Sequence, residues 1–212
     1  MTNSALSANT QIKLSQLCDS LSFKVTTEHQ QKLLQFLEQL AKWNKTYNLT
    51  AINAIDKMLT HHIMDSIAIS PYIKAQNIAD VGTGAGIPGI PLAILHPNQT
   101  FYLIDSNGKK VRFIKQTAHQ LGLKNVIALH KRVESVEVKV EAVISRAFAS
   151  LKDMIEGTSQ LLGTGGMFLA MKGKYPQQEL EQLTNTIKLI ENHNIQVPGL
   201  DAERCLLCLL KK

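Results

Sequence analysis

Apolar residues recur along the chain with two spacings, which predict strands and helices in alternation. Short apolar runs predict buried strands at residues 78–81, 100–104, 126–129, 142–145, 167–171 and 205–210. Helical spacing predicts helices at residues 109–121, 150–162 and 179–193, and a Gly165-Gly166 turn precedes the fifth strand. Strands that alternate with helices indicate an α/β fold with a mostly parallel, doubly wound sheet.

The first part of the chain carries helical patterns without a predicted strand. We predict helices at residues 12–21, 28–44 and 58–73, the second of them beginning with a Thr27–Gln30 capping box. We therefore expect an N-terminal helical extension over residues 1–75, packed on one compact domain over residues 76–212. The segment 42–50 is rich in basic, aromatic and asparagine side chains, which suit either nucleic-acid contact or packing of the extension on the core. The second interpretation is favoured for Trp43.

A glycine-rich turn follows the first predicted strand, with the sequence Asp80-Val81-Gly82-Thr83-Gly84-Ala85-Gly86. Glycines so close together cost chain entropy, so Gly82, Gly84 and Gly86 indicate a tight turn where the backbone approaches a ligand. Pro88 then suits the first turn of a helix. A strand, a glycine turn and a helix N-terminus form the nucleoside-binding unit of doubly wound folds. A tight turn without a ligand is the alternative.

Two classes of cofactor use such a turn. Residues 84–89 match the dinucleotide pattern G-x-G-x-x-G, which keeps a nicotinamide-dependent oxidoreductase as an alternative. Asp80 favours S-adenosylmethionine instead, because a carboxylate beside the ligand repels a pyrophosphate and attracts an ammonium and a sulfonium. Ile87 offers apolar cover. We therefore predict that Asp80, the three turn glycines and Ile87 bind the cofactor.

Candidate site residues follow the next strands, at the edge where open α/β sheets bind ligands. Asp105 lies about twenty residues after the glycines, where an acid accepts hydrogen bonds from a ribose diol; a helix N-terminal acid is the alternative. Val133 and Glu134 follow the third strand, where they are expected to meet the adenine. Arg146 ends the fourth strand and is expected beside the donor methyl, holding the cofactor carboxylate or ordering the acceptor base. A structural ion pair of Arg146 with Glu134 or Asp80 is the alternative.

The chain is basic, which favours a polyanionic partner. Its formal net charge is +6 and its pI is about 9.2. The basic residues predicted to contact RNA lie in the 109–121 helix and after the fifth strand: Lys109, Lys110, Arg112, Lys172 and Lys174. A solvated helix face is an equally good interpretation of the helical group.

Several classes of protein are excluded by what the 212 residues lack. No apolar run approaches a membrane span, and the N-terminus has no basic and apolar regions of a secretory signal. The expected location is therefore the cytoplasm, with Cys18, Cys205 and Cys208 reduced. The C-x-x-C spacing of the last two predicts a buried strand, since no second ligand pair accompanies it. A neutral, hydrogen-bonded His62 near Asp65 is preferred to a metal ligand, so we expect no metal.

Taken together, these residues make the sequence resemble the RsmG (GidB) family of bacterial small-subunit rRNA guanine-N7 methyltransferases over nearly the whole chain. The resemblance rests on Lys42-Trp43-Asn44-Lys45, Tyr47-Asn48-Leu49-Thr50, His62-Ile63-Met64-Asp65-Ser66, Asp80 through Pro91, Asp105-Ser106, Lys109-Lys110-Val111-Arg112-Phe113, Arg132-Val133-Glu134, Ile144-Ser145-Arg146-Ala147-Phe148-Ala149 and Met171-Lys172-Gly173. The tryptophan-asparagine block and the Ser-Arg-Ala-Phe-Ala block are the most specific of these.

The resemblance implies a Rossmann-like class I methyltransferase with S-adenosyl-L-methionine as donor, S-adenosyl-L-homocysteine as product and a guanine of 16S rRNA in the small ribosomal subunit as acceptor. We expect a monomer. The family's cofactor contacts would fall on Gly82, Ile87, Val133, Glu134 and Arg146. Two residues depart from the family pattern. His61 stands where an arginine is frequent, which puts one RNA contact in question, and Ala202 replaces a glycine in a turn.

The chemistry expected from the resemblance needs no general base. Guanine N7 carries an in-plane lone pair and no proton, so the enzyme has to align donor and acceptor. We therefore assign no catalytic base and assign Arg146 a positioning role. A ribosome-assembly factor that keeps the nucleoside pocket without transferring a methyl group is the non-enzymatic alternative.

Overall fold

Seven strands form one sheet in the computed structural model, which describes residues 6–146, 148 and 150–212. The strands are β1 (Asn77–Val81), β2 (Thr100–Asp105), β3 (Val126–His130), β4 (Val140–Ser145), β5 (Leu162–Lys172), β6 (Ile187–Asn194) and β7 (Cys205–Lys211). Their order is β3-β2-β1-β4-β5-β7-β6, and β7 runs antiparallel to both of its neighbours while β1 to β5 pair in parallel. The predicted α/β fold with a mostly parallel sheet is confirmed.

Helices cover both faces of this sheet. They are α1 (Ala8–Asp19), α2 (Thr27–Tyr47), α3 (Ile55–Met58), α4 (Asp65–Ile67), α5 (Gly89–Leu95), α6 (Gly108–Gln120), α7 (Leu151–Thr158) and α8 (Gln177–Glu181). A π-helical segment, Leu59–Met64, joins α3 to α4, and short 3₁₀ turns follow α4 and α7. Among the helices of the described residues, none is long and apolar enough to cross a membrane.

The N-terminal helices share a core with one face of the sheet. A single cluster of buried side chains joins residues of α1 and α2 to residues of β1, α5 and α6. Phe36 of α2 lies against Phe113 of α6 with ring centroids 6.2 Å apart, and Trp43 lies 5.5 Å from the same ring. The interpretation of Trp43 as a residue that packs the extension on the core is confirmed. A second cluster on the other face includes side chains of α7, β5 and β7.

Three N-terminal predictions need correction. Thr26, rather than Thr27, caps α2, because its hydroxyl accepts from the His29 backbone N–H at 3.2 Å. The first helix begins at Ala8, four positions before the predicted start at residue 12, with Ser7 as its cap. In place of the single helix predicted at 58–73, three helical segments follow one another: α3, the π-helical segment and α4. The last of them ends at Ile67. The Thr60 hydroxyl bonds backwards to the Asp56 carbonyl at the start of that segment, which favours a local change of helical winding.

The largest error lies near the C-terminus, where a helix was predicted over residues 179–193. The chain forms only α8 there and then β6, which pairs along β7 from Ile187 to Asn194. The apolar strand β7 is buried on both faces and needs a partner at each edge, so long-range pairing overrides the local helical pattern. The predicted Gly165-Gly166 turn lies within β5, where Gly165 has a φ of +83° and interrupts the pairing with β4.

Candidate active site

The glycine turn after β1 leaves its backbone accessible to a ligand. Gly82, Gly84 and Gly86 have φ values of 68°, 61° and 78°, which residues with a Cβ atom rarely adopt. The Gly82 N–H donates to the Ile104 carbonyl at 3.0 Å, so the turn is fixed to the end of β2. A Cβ atom at Gly84 would have its nearest neighbours 3.9 and 4.0 Å away. The chain therefore needs glycine at residue 84 for its dihedral angles, since a Cβ atom there would make only ordinary contacts, and the Gly84 backbone is partly exposed.

The next glycines are needed for packing. A Cβ at Gly86 would lie 2.6 Å from Ile90 Cγ1, and one at Gly89 would lie 2.7 Å from Asp80 Oδ2. Ile87 is only 6% exposed and packs in the core cluster that the sheet shares with the N-terminal helices. Close packing thus holds the turn against α5, and a ligand contact from Ile87 stays a prediction.

Asp80 is buried beneath the turn and serves its backbone. Its Oδ2 accepts from the Thr83 hydroxyl at 2.6 Å and from the Gly89 N–H at 2.8 Å. Its Oδ1 is buried with no hydrogen-bond partner within the part of the chain that the structure describes. Burial raises the pKa of this carboxyl to about 6. The predicted attraction of a cationic ligand therefore depends on an ionised carboxylate below the turn.

Asp105, at the end of β2, holds the turn from the other side. Its Oδ2 accepts from the Gly84 N–H at 2.9 Å, and its Oδ1 accepts from the Asn107 N–H at 2.8 Å. A carboxylate offers about four acceptor positions, so these two contacts leave capacity for the hydroxyls of a ribose. Asp105 is half-buried, as a residue that fixes a loop and faces a ligand must be.

A cavity of about 210 Å³ brings four of the predicted cofactor residues together: Gly82, Asp105, Val133 and Glu134. Phe148 lines the same cavity and was not predicted to do so, because nothing in the sequence around it shows which way the chain turns after β4. Its neighbours Ala147 and Ala149 lie outside the described residues. A larger cavity of about 970 Å³ lies beside α1 and α2, away from the turn.

Arg146, directly after β4, is held by the helical extension. Its Nη1 donates to the His61 carbonyl at 2.7 Å and to Asp65 Oδ2 at 3.1 Å, and its Nη2 lies 3.4 Å from His62 Nδ1. The ion-pair partner is thus Asp65, and not Glu134 or Asp80 as the structural alternative supposed. Asp65 also accepts from Arg204 Nε at 2.7 Å, a contact between residues too far apart in sequence for any motif to signal.

His62 is neutral in this cluster. Burial, and secondarily the Arg146 charge, lower its pKa to about 4. Its Nδ1 faces the Arg146 donor, so Nε2 carries the proton and donates to the Thr50 hydroxyl at 2.9 Å. The predicted neutral, hydrogen-bonded His62 close to Asp65 is confirmed, and its hydrogen-bond partners are Thr50 and Arg146.

The basic residues predicted to contact RNA differ in their surroundings. Lys109, Arg112 and Lys174 are exposed. Lys110 is half-buried, and its Nζ would lie 3.9 Å from a Cβ atom at Gly84, beside the turn. Lys172 pairs with Glu179 at 2.9 Å, and its side chain is only 15% exposed. Contact with RNA stays a prediction for all five, and the ion pair gives Lys172 a structural role as well.

The predicted buried strand around Cys205 and Cys208 is confirmed, but the strand pairing adds neighbours that the sequence did not indicate. Glu191 and His193 of β6 lie beside Cys208, and one possible ligand atom from each of the three lies within 4.8 Å of the others. Burial, and secondarily Glu191, raise the pKa of the Cys208 thiol to about 11, so it is protonated at neutral pH. The expected absence of a metal stays a prediction.

Comparison with known proteins identifies this arrangement. The family model described as rRNA small subunit methyltransferase G matches residues 29–208. The chain is 49% identical over 196 residues to the ribosomal RNA small subunit methyltransferase G of Psychromonas ingrahamii, covering 92% of this chain and 95% of that protein. It is 45% identical over 203 residues to the protein of the same name from Vibrio vulnificus, covering 94% and 96%.

Solved structures resemble the fold at low sequence identity. TrmN from Thermus thermophilus has a TM-score of 0.54 and 17% identity, covering 69% of this chain and 47% of that one. The ribosomal protein L11 methylase from Lactobacillus delbrueckii subsp. bulgaricus has a TM-score of 0.53 and 18% identity, covering 70% and 77%. These are likenesses of architecture.

The sheet order is that of the class I methyltransferase fold, in which the glycine turn after β1 and the acid at the end of β2 form the nucleoside site. The chain belongs to the rRNA small subunit methyltransferase G family. Neither a nicotinamide-dependent oxidoreductase nor a non-catalytic assembly factor finds support among these comparisons.

Proposed function

We propose that this protein transfers the methyl group of S-adenosylmethionine to N7 of a guanine in the 16S rRNA of the small ribosomal subunit. The observation that carries the proposal is the family match over residues 29–208, in a chain whose glycine turn has positive φ angles at Gly82, Gly84 and Gly86. The 44–50% identity to proteins named ribosomal RNA small subunit methyltransferase G supports ribosomal RNA as the substrate.

The residues around the turn fit the cofactor. Asp105 has acceptor capacity for the ribose hydroxyls, and Val133 and Glu134 line the cavity beside it. Asp80 Oδ1, which has no hydrogen-bond partner among the described residues, lies under a turn that a cation would approach. When bound, S-adenosylmethionine supplies a methyl group on a sulfonium, which is reactive enough for an unassisted nucleophile.

Of the described residues, His62, Asp80 and Arg146 are not placed as general bases, which suits guanine N7 as the acceptor. His62 is buried and bonded on both ring nitrogens, and the guanidinium of Arg146 offers only donors and no acceptor for a proton. Asp80 is enclosed by the turn. What the chain offers is alignment: a guanidinium fixed at the carboxyl end of β4, where its charge acts on Asp80.

The remaining parts of the proposal concern organisation. We propose that residues 1–75 form the extension and 76–212 the catalytic domain, and the core that α2 shares with α5 and α6 supports their packing as one unit. We also propose a cytoplasmic monomer without a metal, which light scattering and metal analysis of the purified protein would test. The net charge of +6 supports a surface that binds RNA.

The proposal is tested with small subunits that lack the modification. They are incubated with the protein and methyl-labelled donor, and the rRNA is then cleaved under alkaline conditions, to which 7-methylguanosine is labile. Label at one site, with strand scission there, is the expected result. Label on an adenine, a cytosine or a ribose hydroxyl would overturn the N7 assignment, and no incorporation would overturn the substrate.

A further inference from the structure

The buried carboxylate of Asp65 holds two arginines that come from separate segments of the catalytic domain. Asp65 is 2% exposed, and its Oδ2 lies 3.1 Å from Arg146 Nη1 while its Oδ1 lies 2.7 Å from Arg204 Nε. Arg146 follows β4, and Arg204 immediately precedes β7. One carboxylate of the extension therefore fixes the positions of two guanidinium groups at the same edge of the sheet.

The cluster of Asp65, Arg146 and Arg204 has more positive than negative groups. One carboxylate faces two guanidinium groups, and the third ionisable neighbour, His62, is neutral because burial lowers its pKa. The side chains of Arg146 and Arg204 remain 28% and 26% exposed. A net charge of +1 at a partly open surface suits an anionic ligand group, such as a carboxylate or a phosphate.

Arg146 is fixed in orientation as well as in position. Its contacts with the His61 carbonyl, Asp65 and His62 use three of the five N–H donors of a guanidinium. All three partners belong to the segment from the π-helix to α4. The two N–H groups that these contacts do not use are thereby held in a fixed direction at the carboxyl end of β4.

Arg204 borders a different cavity. A Cβ atom at Gly173 would lie 4.0 Å from Arg204 Nη1. Gly173, Lys174, Tyr175 and Arg204 line a groove of about 450 Å³, which the acidic residues Asp201 and Glu203 also line, and the Tyr175 side chain is 44% exposed. Cations beside an exposed aromatic ring are the features that bind single-stranded nucleic acid through phosphates and base stacking.

We propose that Asp65 is a positioning residue for methyl transfer, which holds Arg146 towards the donor site and Arg204 towards an RNA groove formed by Gly173, Lys174 and Tyr175. It touches neither substrate. Its effect is to fix the donor side and the acceptor side relative to each other through one carboxylate. The proposal rests on the proposed function in that the acceptor is RNA.

The test compares the wild type with Asp65→Asn, which keeps the shape of the side chain and removes its charge. Asp56→Asn is the matched control, because Asp56 lies on α3 and pairs with Lys13 at the surface. Kinetics are measured on unmodified small subunits below the melting temperature of each variant, and S-adenosylhomocysteine affinity is measured by calorimetry. We expect Asp65→Asn to lower kcat at least about tenfold, to raise KM for the subunit and to weaken S-adenosylhomocysteine, while Asp56→Asn changes none of these.

Two further variants test the contact of Asp65 with Arg204 and the length of the Asp65 side chain separately. Arg204→Lys keeps the charge but loses the Nε contact, so KM for the subunit should rise while S-adenosylhomocysteine affinity stays at the wild-type value. Asp65→Glu keeps the carboxylate on a longer stem, and its kcat should lie between those of the wild type and Asp65→Asn. If Asp65→Asn does not fold, Asp65→Glu alone decides: a kcat lowered at least about threefold supports the proposal, and a wild-type kcat overturns it.

Folded Asp65→Asn with wild-type kcat, KM and ligand affinity would show a purely structural residue and overturn the proposal, even if its melting temperature falls. Failure of the proposed function is distinguishable, because wild-type protein would then not methylate guanine N7. In that case the S-adenosylhomocysteine and subunit affinities of Asp65→Asn still decide whether Asp65 positions the two arginines.

Discussion

At the scale of single residues, the two acids of the glycine turn serve the backbone as well as the expected ligand. Asp105 accepts from the Gly84 N–H and Asp80 from the Gly89 N–H. A substitution at either position therefore changes the shape of the turn and removes a charge at once. Variants that preserve shape are needed to separate the two effects.

We expect Asp105→Ala to weaken S-adenosylmethionine binding at least about tenfold, because charge-assisted hydrogen bonds to the ribose are worth roughly 1.5–3 kcal/mol each. Loss of the Gly84 contact adds to the effect. Calorimetric titration measures it, and circular dichroism verifies the fold. Asp105→Asn, which keeps one acceptor oxygen, should lie in between. Unchanged affinity in Asp105→Ala would remove this residue from the cofactor site.

Cofactor binding should depend on pH through Asp80. Burial raises the pKa of its carboxyl to about 6, so the group is neutral at pH 5 and ionised at pH 7. A negative charge favours the sulfonium of S-adenosylmethionine over the neutral thioether of S-adenosylhomocysteine. The ratio of the two affinities should therefore rise by roughly threefold or more from pH 5 to pH 7.

Asp80→Asn is the control for that measurement, and its ratio should be independent of pH over the same range. Titration of Asp80 affects equally the contacts that the two ligands share, so the ratio of their affinities reports only the interaction of the carboxylate with the sulfonium. A wild-type ratio that does not change with pH would contradict an electrostatic role for Asp80.

At the scale of elements, two lysines near the end of β5 that received the same prediction from the sequence have different surroundings. Lys172 is the last residue of the strand and pairs with Glu179 of α8, whereas Lys174 is exposed beside Tyr175. The first helps to dock α8 on the sheet. The second is free of that task and faces the groove.

Charge reversal should reveal this difference. Lys174→Glu should weaken binding of the small subunit and reduce the slope of log affinity against log salt concentration by about 1, as expected for one lost phosphate contact. Lys172→Glu should lower the melting temperature, because it sets two carboxylates against each other. Lys152→Glu, on the exposed face of α7, is the control for net charge. An identical salt slope for Lys174→Glu and Lys152→Glu would show that Lys174 is only a solvated residue.

At the scale of the whole molecule, the extension and the catalytic domain share one core. Trp43 and Phe36 of α2 meet Phe113 of α6, so the two parts bury the same surface. The extension also supplies Asp65 and the carbonyl that hold Arg146. Stability and the geometry of the site thus depend on the same interface.

We expect Trp43→Ala to lower the free energy of unfolding by about 2–3 kcal/mol, since Trp43 is half-buried and large aromatic truncations cost somewhat more when buried fully. Denaturant unfolding should remain a single transition because the core is shared. Ile12→Ala, at a side chain 56% exposed on α1, should change stability by less than about 0.5 kcal/mol. Two separated transitions in the wild type would contradict the shared core.

The sequence predicted the glycine turn and its flanking strands well, because their signals are local. Gly82 to Gly86 follow an apolar run, and α6 ends beside Gly122, whose φ is +64°. Strand β6 was missed because it is set by pairing with β7, and most of its side chains are exposed, which leaves no clear alternation. The Asp65 cluster was missed because its members are 81 and 139 positions apart.

The position of β7 in the sheet has a consequence for biosynthesis. This strand follows the other six in the chain, yet it lies between β5 and β6. Until residues 205–211 have left the ribosome, β5 has no partner on its outer edge and β6 has none at all. A nascent chain therefore carries an open strand edge on β5 from the time β5 forms until β7 is available, which is the condition that favours misassociation and chaperone binding. Strand β7, synthesised after the other six, is the one that joins β6 to the rest of the sheet.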